Sequence, residues 1–258
     1  MNLSLNLSIA QNYKSNTQRS RVITETWVDE NMYCPICGAS HLHHYEANRP
    51  VADFFCSECQ SDFELKSRER KNSNFNNIIP DGAYDTMIKR ITSIDNPNLL
   101  VMNYYDSSVR NLIFIPKFFF VPEIIIKRTP LKKDARRAGW TGCNIDLGQI
   151  PDDAKIHIIE NGTVISQPTV TECYNRILSL RTNNISTRRW LIDTMSCIDS
   201  IPTEEFTLKD LYAFENFLST KYPNNNFIKD KLRQQLQILR DKGFIKFTSR
   251  GHYRKIKS

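Results

Sequence analysis

Two Cys-x2-Cys pairs stand eighteen residues apart, Cys34 and Cys37 in YCPIC, then Cys56 and Cys59 in FCSEC. Each pair sets two thiolates on a tight knuckle, and two knuckles complete the sulfur tetrahedron of a closed Zn²⁺ site. Four sulfur ligands leave no open coordination position, so the expected metal is structural. A redox role for either pair would need a thioredoxin-like unit around it, and the flanking residues show none. His41, His43 and His44 lie between the pairs. They are alternative ligands by type, but the expected place for them is the solvated loop between the knuckles. Cys143, Cys173 and Cys197 lack partners at metal spacing and are expected as small core residues. Two coincidental pairs of buried thiols are the competing reading.

A second set of residues is threaded through the second knuckle, in RPVADFFCSECQSDFELKS. Val51 to Phe55 and Phe63 to Lys66 read as strands joined through the metal loop. A period of two puts Glu64 and Lys66 on one face and Phe63 and Leu65 on the other, and Asp53 on the paired strand supplies a second carboxylate. Two carboxylates bind a hard cation such as Mg²⁺. The cation polarises a phosphate and acidifies a bound water, while the lysine orients or deprotonates that water or stabilises developing charge. Metal-assisted phosphodiester hydrolysis is the chemistry these types suit. An Asp followed by Glu-x-Lys is also what a surface ion cluster looks like.

The elements that must position these groups follow from periodicity. Ser15 stands where a helix through about Glu30 would be capped, with Val22, Ile23 and Trp27 as core contacts and Glu25 as a solvated charge outside the site. A helix starting at Asp81 carries Tyr84, Met87, Ile88, Ile91 and Ile94 at helical spacing. NLLVMNYY, NLIFI and KIHII read as strands, giving a helix-flanked mixed sheet, an α/β domain over residues 1–182. Between the later strands, ARRAGWTGCN places Arg136, Arg137 and Trp140 beside two glycines. The arginines suit phosphates or guanine edges and the indole suits a base or methyl group; a tryptophan buried on a turn is the alternative.

From Arg189 onward the order is helix, short extended EFTL, helix, turn, long helix and a hairpin around FIKFTSRGHYRKI, the pattern of a winged helix over residues 183–258. Ile228, Leu232, Leu236 and Leu239 form an apolar stripe, with Lys229, Arg233, Gln237 and Arg240 one residue behind each. The recognition helix should begin near Asn226. Asn225, Asn226, Lys229, Arg233 and Gln234 are its candidate DNA contacts, and Arg250, His252, Tyr253 and Arg254 are those of the wing. A protein-interaction module with a solvated basic face is the competing reading. The chain carries a formal charge of +7 over 258 residues. Fourteen Lys and Arg against eight Asp and Glu fall in 183–258, so nearly all the excess belongs to the C-terminal part and favours a polyanionic partner. The first residues lack a basic run and an apolar core, and Leu112 to Ile126 is broken by Pro116, Lys117, Pro122 and Glu123. Neither export nor a membrane span is expected, and the expected location is cytoplasmic.

RPVADF followed by FELKS, interleaved with the cysteine pairs, resembles the PD-(D/E)XK nucleases, and among them the DpnI-like methyl-directed (Type IIM) restriction endonucleases. YKSNTQ, PDGAYDTMIKR, ARRAGWTGCNIDL and EFTL followed by IKDKLRQQLQILRDK extend the resemblance over nearly the whole chain. It implies a Type II enzyme cutting duplex DNA at GATC sites with N6-methylated adenines. In it Asp53, Glu64 and Lys66 are catalytic, and the Leu65 carbonyl joins Asp53 and Glu64 as a Mg²⁺ ligand. The motif's Pro-Asp is Ala52-Asp53 here, with Pro50 three residues before the aspartate; proline carries none of the chemistry. The resemblance also favours DNA contact for the Arg136–Trp140 loop, and a monomer as the working unit. Two alternatives stay open on the residues alone. One is a noncatalytic zinc and winged-helix regulator with a structural Asp53–Glu64–Lys66 cluster, and the other a PD-(D/E)XK nuclease with a different substrate geometry.

Overall fold

The computed structural model describes residues 1–46, 52–71, 75–93 and 95–256. Val51, Pro50 and Ile94, invoked above for a strand, a motif and a helix, lie outside the described residues. Helix α1 (Asn16–Asn31) has Ser15 at its N-cap position, although the hydroxyl makes no capping hydrogen bond. Its buried face is Ile23, Thr24, Trp27 and Val28, with Val22 half-buried. The chain then forms β1 (His43–His44), β2 (Phe54–Phe55) and β3 (Asp62–Glu69). It continues through β4 (Ile78–Ala83), α2 (Tyr84–Thr92) and the hairpin β5 (Asn98–Tyr105) and β6 (Ser108–Ile115). After β7 (Ile125–Lys127), β8 (Gly142–Asp146), β9 (Ile156–Glu160) and β10 (Thr163–Val164) comes α3 (Gln167–Leu178).

Seven strands form one mixed sheet in the order β1-β2-β3-β5-β6-β9-β10. β5 is buried at every residue but Tyr105, as a central strand covered on both faces must be, and its near-continuous apolar run reflects that. The β5–β6 turn is Asp106-Ser107 with φ of 49° and 57°, the left-handed pair that a two-residue hairpin requires. β3 pairs with β5 in parallel, Glu64 beside Leu99 and Lys66 beside Val101. A parallel pair needs a crossover, and here β4 and α2 supply it. β4 joins β8 and β7 in a separate three-stranded sheet, with its register shifted between Asp81 and Ala83. Asp81 is therefore a strand residue and not the start of a helix; α2 begins at Tyr84. Met87 and Ile91 are its buried positions, with Tyr84 and Ile88 partly buried against the same core.

The C-terminal region consists of α4 (Ile185–Asp199), β11 (Glu205–Thr207), α5 (Leu208–Tyr212), α6 (Glu215–Lys221), α7 (Ile228–Asp241), β12 (Ile245–Ser249) and β13 (His252–Lys255). α4 starts four residues before the expected Arg189, behind Asn184, whose side chain accepts from the Thr187 N–H. The third sheet runs β11-β13-β12 and is the wing. Ile228, Leu232, Leu236 and Leu239 are buried and Lys229, Arg233, Gln237 and Arg240 exposed, so the two-sided reading of α7 holds. α4 is buried on most sides because it lies between two partners. Toward the large sheet Ser196 Oγ donates to the Gln149 carbonyl (3.3 Å) and Arg188 to the Phe120 carbonyl (3.4 Å). On its other side it packs against α7. One continuous apolar cluster consequently runs from Leu5 to Ile245. No helix among the described residues is long and apolar enough to cross a membrane.

Candidate active site and thiolate cluster

The four knuckle cysteines converge. Cys34 Sγ lies 3.6 Å from Cys59 Sγ, and Cys37 Sγ lies 3.6 Å from Cys56 Sγ. All four sulfurs fall within 4.8 Å of one another, and the cysteines are unbridged. Zinc–sulfur bonds of about 2.3 Å give a tetrahedron with edges of about 3.8 Å, so the cluster fits a metal of that kind. Each knuckle closes on backbone bonds, Gly38 N–H to the Cys34 carbonyl (2.9 Å) and Gln60 N–H to the Cys56 carbonyl (3.0 Å). Gly38 and Gln60 both sit at positive φ. Burial drives the Cys34 thiol well above its ordinary value, so a bound cation is what would make it anionic. The histidines stay out of the cluster; His41 lies in the loop between the knuckles as expected, but His43 and His44 do not. His43 and His44 form β1, paired with Phe55 and Phe54, and His44 Nε2 meets Glu25 at 3.1 Å. Cys143 and Cys197 are buried and Cys173 half-buried, in keeping with core packing.

The knuckle hands the chain from β2 to β3 and so sets Asp53 beside Glu64. Strand β2 is only two residues long, and Asp53 just before it is tied twice to β3. Its N–H donates to the Phe63 carbonyl (2.9 Å), and its Oδ2 accepts from the Leu65 N–H (2.8 Å). Phe63 is fully buried, whereas Asp53, Glu64, Leu65 and Lys66 line one open cleft of about 810 Å³. Burial pushes the carboxyls of Asp53 and Glu64 above the usual carboxylate range, against the lowering effects of the Leu65 N–H and of Lys66 respectively. Burial would depress the Lys66 ammonium, but Glu64 and Asp81 outweigh it and hold it above the ordinary lysine value. A divalent cation in the open cleft would add countercharge to these buried acids beyond what Lys66 gives. Their oxygen donors suit a hard metal.

Two residues outside the sequence-derived set bear on this site: one lines the cleft and the other reaches it through Lys66. Glu25 on α1, set aside above as a solvated helix charge, lines it and is gripped by Arg21 Nε (2.6 Å) and His44 (3.1 Å). Asp81 on β4 accepts from Lys66 Nζ at 2.7 Å, opposite Glu64 at 2.6 Å. Its signal was the Asp-Gly pair directly before α2, which also marks the register shift in β4.

The other candidate contacts lie elsewhere. Arg136 and Arg137 are exposed on the segment joining β7 to β8, and the Arg137 guanidinium covers the half-buried Trp140 ring at 4.4 Å. A Cβ on Gly142 would come within 2.9 Å of that indole, so only glycine lets the ring lie down there. On the C-terminal side α7 begins at Ile228, two residues later than expected. Asn225 Oδ1 accepts from the Phe227 N–H (2.8 Å) and so shapes the turn, while Asn226 is exposed. Lys229 pairs with Glu215 (2.9 Å), Arg233 with Asp230 (3.3 Å), and Lys231 donates to Gln234 (2.7 Å). Arg250, His252 and Arg254 are exposed around the wing turn at Gly251; Tyr253 instead stacks on Phe206 at 5.5 Å and is a packing residue.

An α/β domain with a four-cysteine cluster and an acidic, lysine-bearing cleft, followed by a helix-turn-helix with a wing, has the parts of an enzyme acting on DNA. Residues 1–183 match the Dam-replacing family, DpnI, and residues 186–255 match the Dam-replacing HTH domain. The chain belongs to this DpnI family, which makes it a DNA-cutting restriction endonuclease with an HTH DNA-binding segment.

Proposed function

We propose that the chain is a Type II restriction endonuclease of PD-(D/E)XK character that hydrolyses duplex DNA at GATC sites bearing N6-methyladenine. The observation that supports this most is the convergence of Asp53, Glu64 and Lys66 in one open cleft. Asp53, Glu64 and the Leu65 carbonyl are the residues that would hold Mg²⁺. Bound there, the cation supplies a polarised phosphate and an acidified water. Lys66, kept protonated by two carboxylates, acts as a donor to the anionic phosphate and not as a base. The cysteine cluster holds Zn²⁺ and keeps the β2–β3 connection, hence Asp53 against Glu64, in register.

The two family segments support a division into a catalytic unit, 1–182, and a winged-helix unit, 183–258. Arg136, Arg137 and Trp140 contact DNA from the first. Asn226, Lys229, Arg233, Gln234, Arg250, His252 and Arg254 contact it from the second, with Asn225 setting the turn before α7. The working unit is a single chain in the cytoplasm, where its substrate is. The test is cleavage of two plasmids that differ only in adenine methylation of their GATC sites, with Mg²⁺ or EDTA, beside Lys66→Ala. Cutting that needs methylation, metal and Lys66 is the expected result. Tight binding without cutting, unaffected by the substitution, would instead identify a regulator.

A further inference from the structure

Lys66 is clamped between carboxylates from two different sheets. Glu64 Oε1, two residues away on β3, accepts from Nζ at 2.6 Å, and Asp81 Oδ1 on β4 accepts from it at 2.7 Å. The Asp81 side chain is the more deeply buried of the two acids, 6% exposed against 19% for Glu64. Its Oδ1 also takes the Gly82 N–H at 2.7 Å, which fixes the carboxylate in place. Its Oδ2 is buried with no hydrogen-bond partner among the described residues. A buried carboxylate oxygen without a donor is unfavourable, and its retention beside a lysine bearing three N–H donors points to a use.

The use follows from a conflict within the proposed site, and the argument rests on that reading. Glu64 is both the lysine's partner and a proposed metal ligand, so a cation at Glu64 competes with Nζ for the same oxygens. Were Glu64 the sole anchor, metal binding would strand a buried ammonium, or the ammonium would keep the metal out. Asp81 stands outside that competition because it reaches Lys66 from the other sheet. We propose that Asp81 is a positioning residue for Lys66: it keeps the ammonium in the cleft when Glu64 is given up to the cation, and its spare Oδ2 accepts the N–H released from Glu64. Asp81 touches neither substrate nor metal in this scheme and acts through the lysine.

The experiment compares wild type, Asp81→Asn and Asp81→Glu. Asparagine keeps the size and the Oδ1 acceptor but removes the charge, and glutamate keeps the charge. Single-turnover cleavage of an adenine-methylated GATC duplex is measured across a Mg²⁺ titration, duplex affinity is measured in EDTA, and folding is followed in urea. Losing one charge-assisted buried bond should slow cleavage by Asp81→Asn about ten- to a hundredfold and raise the Mg²⁺ concentration for half-maximal rate about tenfold. Duplex affinity should stay within about twofold of wild type, and Asp81→Glu should keep a near-normal Mg²⁺ midpoint. An unchanged rate and midpoint in Asp81→Asn would overturn the proposal. So would a rate that falls only with the folded fraction while the midpoint stays put, since that is a purely structural role. Should wild type itself not cut, the nuclease reading fails separately. Calorimetric Mn²⁺ titration of the free proteins then decides: weaker binding by Asp81→Asn supports the positioning role, and equal binding refutes it.

Discussion

Replacing Lys66 by alanine should cost stability as well as activity, and the cost should depend on pH in a defined direction. The substitution removes the ammonium that lies 2.6 Å from Glu64 and 2.7 Å from Asp81. Two buried carboxylates are then left facing each other. Breaking a buried ion pair by deleting one partner costs about 3–5 kcal/mol. The lower end, about 3 kcal/mol, applies here because Lys66 and Glu64 remain 22% and 19% exposed. With a stability of order 10 kcal/mol the protein stays folded, so lost cleavage can be read as lost chemistry. The Glu64 carboxyl is already above its ordinary value through burial, and removing Lys66 takes away an influence that lowers it. A carboxylate whose folded pKa exceeds its unfolded one binds its proton more tightly when folded. Its stabilising contribution is present below the unfolded value and is lost as pH rises through the folded value. The deficit of Lys66→Ala should therefore be larger at pH 8 than at pH 5, because acid favours the uncharged form of the raised Glu64 carboxyl. Urea unfolding at both pH values measures it, as a midpoint lowered by about 1 M at pH 8 for a slope near 3 kcal/mol/M. A variant as stable as wild type at pH 8, or a deficit equal at both pH values, would show that the three groups do not form one buried electrostatic unit.

Strong chelation, or Cys56→Ser, should lower the thermal unfolding temperature and abolish cleavage, because Cys56 and Cys59 close the turn between Asp53 and Glu64; zinc release and melting curves check this. Leu232→Ala, which truncates a fully buried side chain of α7, should cost about 2–5 kcal/mol in urea unfolding. Trp140→Ala should weaken binding of a methylated duplex about tenfold while changing the unfolding midpoint little, the ring being only half-buried. Equal loss on methylated and unmethylated duplexes would remove the indole from methyl recognition.

What the sequence disclosed and what it hid divide by range. Cysteine spacing fixes the thiolate cluster because each pair closes its own knuckle, and the alternation in FELKS puts Phe63 in the core and Glu64 with Lys66 in the cleft because a strand leaves only two faces. The α7 stripe is equally local. Asp81 was hidden for a physical reason. An acid two or three residues before an apolar helical repeat is what an N-terminal turn looks like, and only the pairing of β4 with β8, settled far along the chain, makes it a strand residue beside Lys66. Glu25 was read as solvated because helical spacing gives its i,i+4 partner Arg21 on the same face, but not that His44 and a cleft lie opposite. The late start of α7 at Ile228 and the early start of α4 at Ile185 reflect Asn225 and Asn184 acting as the turn and cap, which apolar periodicity does not record.

The ion pairs on the C-terminal unit change what its charge means. Lys229, Arg233 and Arg254 already have acidic partners in Glu215, Asp230 and Glu205. Docking these side chains on a phosphate backbone would be an exchange of anions and not the capture of a first one. Exposed pairs of this kind are worth about 0–1 kcal/mol, so they are cheaply surrendered, yet until then they hold long flexible arms in fixed directions. Fourteen basic residues are therefore not fourteen waiting phosphate ligands. For each swapped pair the carboxylate left behind must gather its own counterion as the phosphate sheds one, so the salt dependence of binding should count only the residues that were unpaired beforehand.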